Sequence, residues 1–191
     1  MKPIFVESPT ATKFGKFVFR VYKDAWGRQT VVLRTPKIDR KKPALVRVHS
    51  ECMTGDVFAS LRCDCGPQLH KALKLIAKGG NGALVYLRQE GRGIGLFEKI
   101  KAYKLQDEGY DTFEANIRLG HRPDERTYGM AKQALKDLGI KRIKLLTNSP
   151  LKVAEMEKLG IEVVERIPLI IPPNKFNKGY LAIKRDRYKL K

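Results

Sequence analysis

Runs of β-branched and aromatic residues fill the first third of the chain, and beyond it apolar residues recur at the spacing of a helix. Residues 17–22, 30–35 and 44–49 predict three strands, separated by turn-forming stretches that contain Trp26-Gly27 and Lys42-Pro43. Leu69, Ala72, Leu73, Ile76 and Ala77 then fall on one helical stripe over residues 67–78, with Pro67 suited to the first turn and Gly79-Gly80 to the stop. Residues 83–87 read as a short apolar strand. A second helix is expected over about 95–108, with Leu96, Phe97, Ile100, Tyr103 and Leu105 turned inward. Asp111-Thr112-Phe113-Glu114 has the residue order of a reciprocal cap on a short helix ending near Gly120. Helices at 127–138 and 150–159 alternate with strands at 142–147 and 161–165; residues 167–173 read as a proline-rich loop and 180–183 as a last short strand. The alternation predicts an α/β (α+β) fold, a mixed β-sheet covered by helices, with the β-rich N-terminal segment on the same sheet or beside it.

Size and charge narrow this picture. A chain of 191 residues with 42% hydrophobic content can bury the core of one domain, and no repeat or linker divides residues 1–191. No apolar run approaches the roughly 20 residues of a membrane span, and the chain's start lacks the apolar stretch of a secretory signal, so the expected location is cytoplasmic. The formal charge of +19, from 39 Lys and Arg against 20 Asp and Glu, predicts an anionic partner, either nucleic acid or a small polyphosphate such as a nucleotide. Two dense basic runs, 37–42 and the tail at about 184–191, are read as solvated surface.

All three cysteines lie in one segment with the spacing C-x10-C-x-C: Cys52, Cys63 and Cys65. Thiolate is a ligand that zinc favours, and three cysteines without a fourth leave a coordination position for water or substrate. His49 stands close enough in sequence to close the shell as an inert Cys3His site, and buried free thiols are a third reading. The odd, crowded number makes poor disulfide stock and agrees with a reducing compartment.

Three further segments offer chemistry. Arg88-Gln89-Glu90-Gly91-Arg92-Gly93-Ile94-Gly95 follows a strand and opens a helix, where backbone N–H groups and paired arginines favour phosphate; a plain strand-to-helix turn is the alternative. Asp124-Glu125-Arg126 precedes a helix and could be either a cap or a carboxylate–guanidinium pair facing the cysteines. Thr147-Asn148-Ser149-Pro150 repeats the strand-to-helix arrangement. The cysteine segment, Glu90 to Arg92 and Thr147 all lie near the C-terminal ends of predicted strands, where open α/β sheets bind ligands.

Taken in order, these segments resemble GTP cyclohydrolase II. The resemblance runs from about Arg47 to Tyr180 and rests on His49-Ser50-Glu51-Cys52, Thr54-Gly55-Asp56, Leu61-Arg62-Cys63-Asp64-Cys65-Gly66, the 88–96 segment, Ala102-Tyr103, Leu105-Gln106-Asp107, Gly109-Tyr110-Asp111-Thr112, Glu114-Ala115-Asn116, Asp124-Glu125-Arg126 and Leu145-Leu146-Thr147-Asn148. It implies zinc-dependent hydrolysis of GTP to formate, diphosphate and a 2,5-diamino-6-(phosphoribosylamino)pyrimidinone, the first committed step of riboflavin synthesis. It also implies Mg2+ on the GTP phosphates, a homodimer, and the monofunctional form without a dihydroxybutanone phosphate synthase domain. The zinc ligands it implies are Cys52, Cys63 and Cys65, with His49 outside the metal shell. It assigns Asp124 as proton acceptor, Arg126 to the α-phosphate and Tyr103 to the opened imidazole. GTP contacts are implied for Arg47, Val48, His49, Ser50 and Glu51, for Gln68, Glu90, Gly91 and Arg92, and for Thr112, Thr147 and Lys152. His121 and Ser149 depart from the family pattern, at positions outside that chemistry.

Three other functions compete. A nucleic-acid-binding protein with a structural Cys3His zinc would suit the charge, but its basic runs lack interleaved aromatics, and Glu51, Glu90 and Asp124 would repel phosphate. A silent GTP sensor is disfavoured by the presence of Tyr103, Asp124, Arg126 and all three cysteines. An enzyme that opens the ring but retains the formyl group differs only in its product.

Overall fold

In the computed structural model, which describes residues 4–179 and 181–182, six of the predicted strands and one that the sequence did not announce build one seven-stranded sheet with helices on both faces. The N-terminal strands are β1 (Ile4–Thr12), β2 (Gly15–Lys23), β3 (Gln29–Arg34) and β4 (Ala44–Ser50). Then come α1 (Met53–Asp56), α2 (Cys65–Gly79), β5 (Gly82–Leu87), a 3-10 turn (Glu90–Gly93), α3 (Leu96–Asp107) and α4 (Thr112–Arg118). The rest is α5 (Gly129–Asp137), β6 (Arg142–Leu146), α6 (Pro150–Lys158) and β7 (Glu162–Ile167). The strand order is β1-β2-β3-β5-β4-β6-β7; β1, β2, β3 and β5 pair antiparallel, and β5, β4, β6 and β7 pair parallel. The β-rich N-terminal segment is therefore part of the same sheet.

Side-chain alternation assigns the two faces. On β4 and β5, Ala44, Val46, Val48, Ala83, Val85 and Leu87 join the larger core, which Ala131, Ala134 and Leu135 of α5 and Met156 of α6 cover. On the opposite face, Leu84 packs with Ala72, Leu73 and Ile76 of α2 and with Phe17 of β2. The same alternation turns Arg47, His49 and Tyr86 toward the α2 face, at the C-terminal ends of their strands. Polar residues on an otherwise apolar face thus gather where the parallel strands end.

Helix boundaries follow local chemistry. α2 stops at Gly80, whose φ of 69° is the left-handed geometry that a glycine adopts without Cβ strain. The expected reciprocal cap forms on α4: Asp111 accepts from the backbone of Phe113 and Glu114, while the Glu114 side chain accepts from Asp111 N–H.

Three expectations need correction. Leu181 and Ala182 are helical rather than strand-like, Leu181 N–H donating to the Asn177 carbonyl; Tyr180 and Ile183 lie outside the described residues, as does the basic tail. In α3, Phe97 and Ile100 face outward at 74% and 49% exposure, whereas Lys99 and Ala102 are buried. The inner side of α3 lines a cavity through Lys99, Ala102, Tyr103 and Gln106, so Tyr103 faces inward as expected while Phe97 and Ile100 do not. Finally, β1 is a full nine-residue strand that its polar centre, Glu7-Ser8-Pro9-Thr10, conceals.

Ile76 is fully buried between α2 and the sheet. Ile76→Ala should lower unfolding free energy by about 2–5 kcal/mol, read from the urea midpoint. A loss below about 1 kcal/mol would mean that α2 is not packed as described.

Candidate active site

Close backbone packing brings the three thiols together. Cys52 follows β4 and caps α1, Cys63 sits in the loop before α2, and Cys65 is the first residue of α2. A Cβ on Gly66 would lie 2.2 Å from the Gly55 carbonyl oxygen, and one on Gly55 would lie 2.7 Å from Cys63 Sγ. Only hydrogen at both positions allows the two helices to approach this closely. The three Sγ atoms lie within 4.8 Å of one another, and Cys52 and Cys63 are 3.7 Å apart.

That spacing fits a metal. Two thiolates on a tetrahedral zinc, each about 2.3 Å from the ion, stand about 3.7 Å apart. Among the described residues, no histidine or carboxylate joins the group. His49 Nε2 instead faces the Asp56 carboxylate at 3.0 Å, and Asp56 also accepts from Tyr86 OH and Cys52 N–H. Asp56 thereby pins the first thiol's backbone to the end of the sheet. Hydrogen bonds from Cys63 and Cys65, and the nearby Lys99 ammonium, hold the Cys52 thiol far below its ordinary range. The same contact with Cys52 pushes Cys63 up to about 11.

The thiols open onto a cavity of about 460 Å3, a size suited to a small-molecule ligand. Ser50, Glu51, Glu90, Gly91, Arg92, Tyr103, Thr112 and Arg126 line it. A smaller hollow of about 120 Å3 adjoins it, sharing Ser50, Cys65 and Arg126. Arg47, His49, Gln68, Thr147 and Lys152 line this second space, and no carboxylate does. Two of the candidate residues line neither. Val48 is a core side chain whose carbonyl accepts from Lys152 Nζ, and Asp124 is turned to Arg126.

Electrostatics differ between the two spaces. In the smaller one, the buried Arg47 guanidinium donates to the Leu146 carbonyl and to Gln68 Oε1, and its Nε has no hydrogen-bond partner. Burial pulls the Arg47 pKa down to about 10, so the group stays charged at neutral pH. In the larger cavity, burial raises the Glu51 carboxyl. Burial also opposes the charge of Asp124, but hydrogen bonds and charge from Arg126 outweigh it and hold that carboxyl below its usual range.

The turn after β5 connects these features. Gly91 and Arg92 both adopt left-handed backbone, φ 61° and 62°, and for Arg92 this conformation carries strain. Glu125 N–H donates to the Arg92 carbonyl, docking the 124–126 segment on the turn. Glu90 does not stand free: its oxygens accept from Met53 N–H, Gly91 N–H and Lys99 Nζ. Sequence reasoning missed Lys99, Asp56 and Arg62. Arg62 packs over the Tyr103 ring at 4.4 Å and pairs with Asp107. The i, i+4 spacing of Lys99, Tyr103 and Asp107 was the available signal.

Two expected outcomes test this geometry. Gly55→Ala should abolish metal retention by displacing Cys63 Sγ while the far-UV spectrum stays that of a folded sheet; metal analysis finding a full complement would contradict the packing account. Burial, against the opposing pull of Asp56, lowers the His49 pKa below 6.5. The stability this confers is therefore complete above about pH 6.5 and is lost as pH falls toward the lower folded-state value. The thermal midpoint of the wild type should fall on acidification through that window, and more steeply than that of His49→Gln; equal slopes would contradict it.

A family model described as "GTP cyclohydrolase II" matches residues 4–168. The chain is 54% identical over 178 residues to the "Riboflavin biosynthesis protein RibBA" of Aquifex aeolicus, covering 92% of this chain and 44% of that protein. The protein of the same name from Bacillus subtilis is 52% identical over 184 residues, 95% of this chain and 46% of the relative. That from Phocaeicola vulgatus is 51% identical over 183 residues, 95% and 45%. The chain spans less than half the length of these relatives, which lend no support to the expected monofunctional form. A solved structure of RibBX, a two-domain 3,4-dihydroxy-2-butanone 4-phosphate synthase from A. baumannii, superposes with a TM-score of only 0.45 at 19% identity, over 88% of this chain and 40% of that one. Such a likeness bears on neither fold nor chemistry. With the family model matching residues 4–168 and about half of all positions shared with these relatives, the chain belongs to the GTP cyclohydrolase II family.

Proposed function

We propose that this chain hydrolyses GTP to formate, diphosphate and 2,5-diamino-6-(5-phosphoribosylamino)pyrimidin-4(3H)-one, the entry step of riboflavin synthesis. The observation that carries the reading is the junction of the two cavities, which share Cys65 of the thiol cluster and Arg126 as walls. The larger space suits the purine and ribose, and the smaller, ringed by Arg47, Arg126 and Lys152, suits the phosphates.

Cys52, Cys63 and Cys65 would hold the zinc ion, which supplies water activated for attack at neutral pH. The protein's own groups do the rest. Asp124 accepts protons as the imidazole opens, its depressed pKa keeping it ionised. Glu51 accepts hydrogen bonds from guanine N1–H and the exocyclic amine, a pattern adenine does not offer. Glu90 is less suited to that task because three protein donors already occupy it. Tyr103 stands beside the thiols at the cavity wall, placed to contact the opened ring. Arg126 offsets charge at the α-phosphate as diphosphate leaves, with Mg2+ neutralising the departing group. Its pairing with Asp124 favours this electrostatic role over nucleophilic attack, since a guanidinium so held remains charged.

Zinc-loaded protein given GTP and Mg2+ should release formate, diphosphate and the pyrimidine in equal amounts. Absence of turnover with zinc bound and the fold intact would overturn the proposal, and diphosphate with a formylated product would place the chain in the formyl-retaining class. Cys63→Ser should lose formate release by more than about 100-fold, since ring opening then lacks its activated water.

A further inference from the structure

Lys99 is a buried cation of the cavity wall to which the proposed chemistry gives no task. It lies on α3 and is 9% exposed, yet it carries a full charge, an arrangement rare for lysine unless its head group is paired. Its Nζ is 3.3 Å from Cys52 Sγ, 2.9 Å from Thr54 Oγ1 and 2.8 Å from Glu90 Oε1. It also lies 5.6 Å from the centroid of the Tyr103 ring. Three contacts account for the three donors of an ammonium, so the group is fully committed.

These contacts join α3 to the segments that follow the paired strands β4 and β5. Cys52 and Thr54 lie at the start of α1, after β4, and Glu90 lies in the turn after β5. The second oxygen of Glu90 accepts from Met53 N–H at 2.6 Å, which closes a ring of contacts from Lys99 through Glu90 to the residue after Cys52. Lys99 therefore fixes one thiol from two directions, directly at sulfur and through the backbone beside it.

Charge gives the arrangement a second consequence. Three thiolates around a divalent cation retain one net negative charge, in a cavity that would admit a polyanionic nucleotide. An ammonium against one sulfur cancels that charge at contact distance, where low local polarity makes the interaction strong.

We propose that Lys99 is a positioning residue of the metal site: its ammonium clamps Cys52 against Glu90 and neutralises the excess charge of the three-thiolate centre. The proposal rests on the reading of the three cysteines as metal ligands. Outer contacts of this kind typically govern metal affinity by about 10–100-fold.

Cobalt(II) serves as the probe, because thiolate-to-cobalt charge-transfer absorption reports sulfur ligation independently of turnover. Lys99→Met and Lys99→Gln, each checked by circular dichroism, should bind cobalt about 10–100-fold more weakly in competition with a chromophoric chelator, with a displaced charge-transfer band. Lys99→Arg, which keeps the charge, should recover most of the affinity. Either neutral variant folding and binding cobalt within twofold of wild type, with an unshifted band, would overturn the inference alone. Wild-type protein showing no thiolate absorption with cobalt would overturn the three-cysteine reading and this inference together.

Discussion

The contact between the backbones of Gly55 and Gly66 sets the distance on which the site depends. Cys52 and Cys65 belong to different helices, and the thiols come within ligand distance of one another only because neither glycine carries a Cβ. The sheet supplies the rest of the constraint. β4 ends just before α1, β5 ends just before the Glu90 turn, and β6 ends at Leu146, whose carbonyl accepts from Arg47. Three adjacent parallel strands thus deliver the thiols, the strained turn and the buried arginine to one rim, the position where open α/β sheets place ligands.

Each buried charge on that rim meets a compensating polar or charged group. Lys99 lies against Glu90 and Cys52, and His49 against Asp56, while Arg47 donates to neutral carbonyl and amide oxygens. Removing one partner of a buried pair leaves the other desolvated, at a cost of about 3–5 kcal/mol, so these groups gain little as mere stabilisers. Their value is geometric. Asp56 holds the backbone of Cys52, and Lys99 its sulfur, so the first thiol is fixed by contacts outside its own helix.

The sequence made some of this legible because the patterns were local. The three-residue and four-residue recurrence of Leu69, Ala72, Leu73 and Ile76 names the buried face of α2 directly, and the cap at Asp111 is a matter of four consecutive residues. The C-x10-C-x-C spacing likewise marks the thiols without any knowledge of the fold. What failed was whatever depended on the partner surface. Phe97 and Ile100 look like core residues until α3 is seen to turn Lys99, Ala102 and Tyr103 to the cavity instead, and β1 is hidden because it is an edge strand with little to bury. Lys99 drew no attention in the sequence, and Asp56 entered only within the motif Thr54-Gly55-Asp56, since nothing local records that a thiol or an imidazole will meet them. Short α1, only Met53–Asp56, exists through its contacts and not through any helical pattern.

The central claim is that three thiols hold an open metal centre on the wall of a nucleotide cavity. X-ray absorption at the zinc edge of zinc-loaded protein tests it most directly. The account predicts three sulfur scatterers at about 2.3 Å and a single oxygen at about 2.0 Å, the oxygen shell changing when GTP is added. A fourth protein ligand with the multiple-scattering pattern of imidazole would contradict it, for His49 would then have left Asp56 to close the shell.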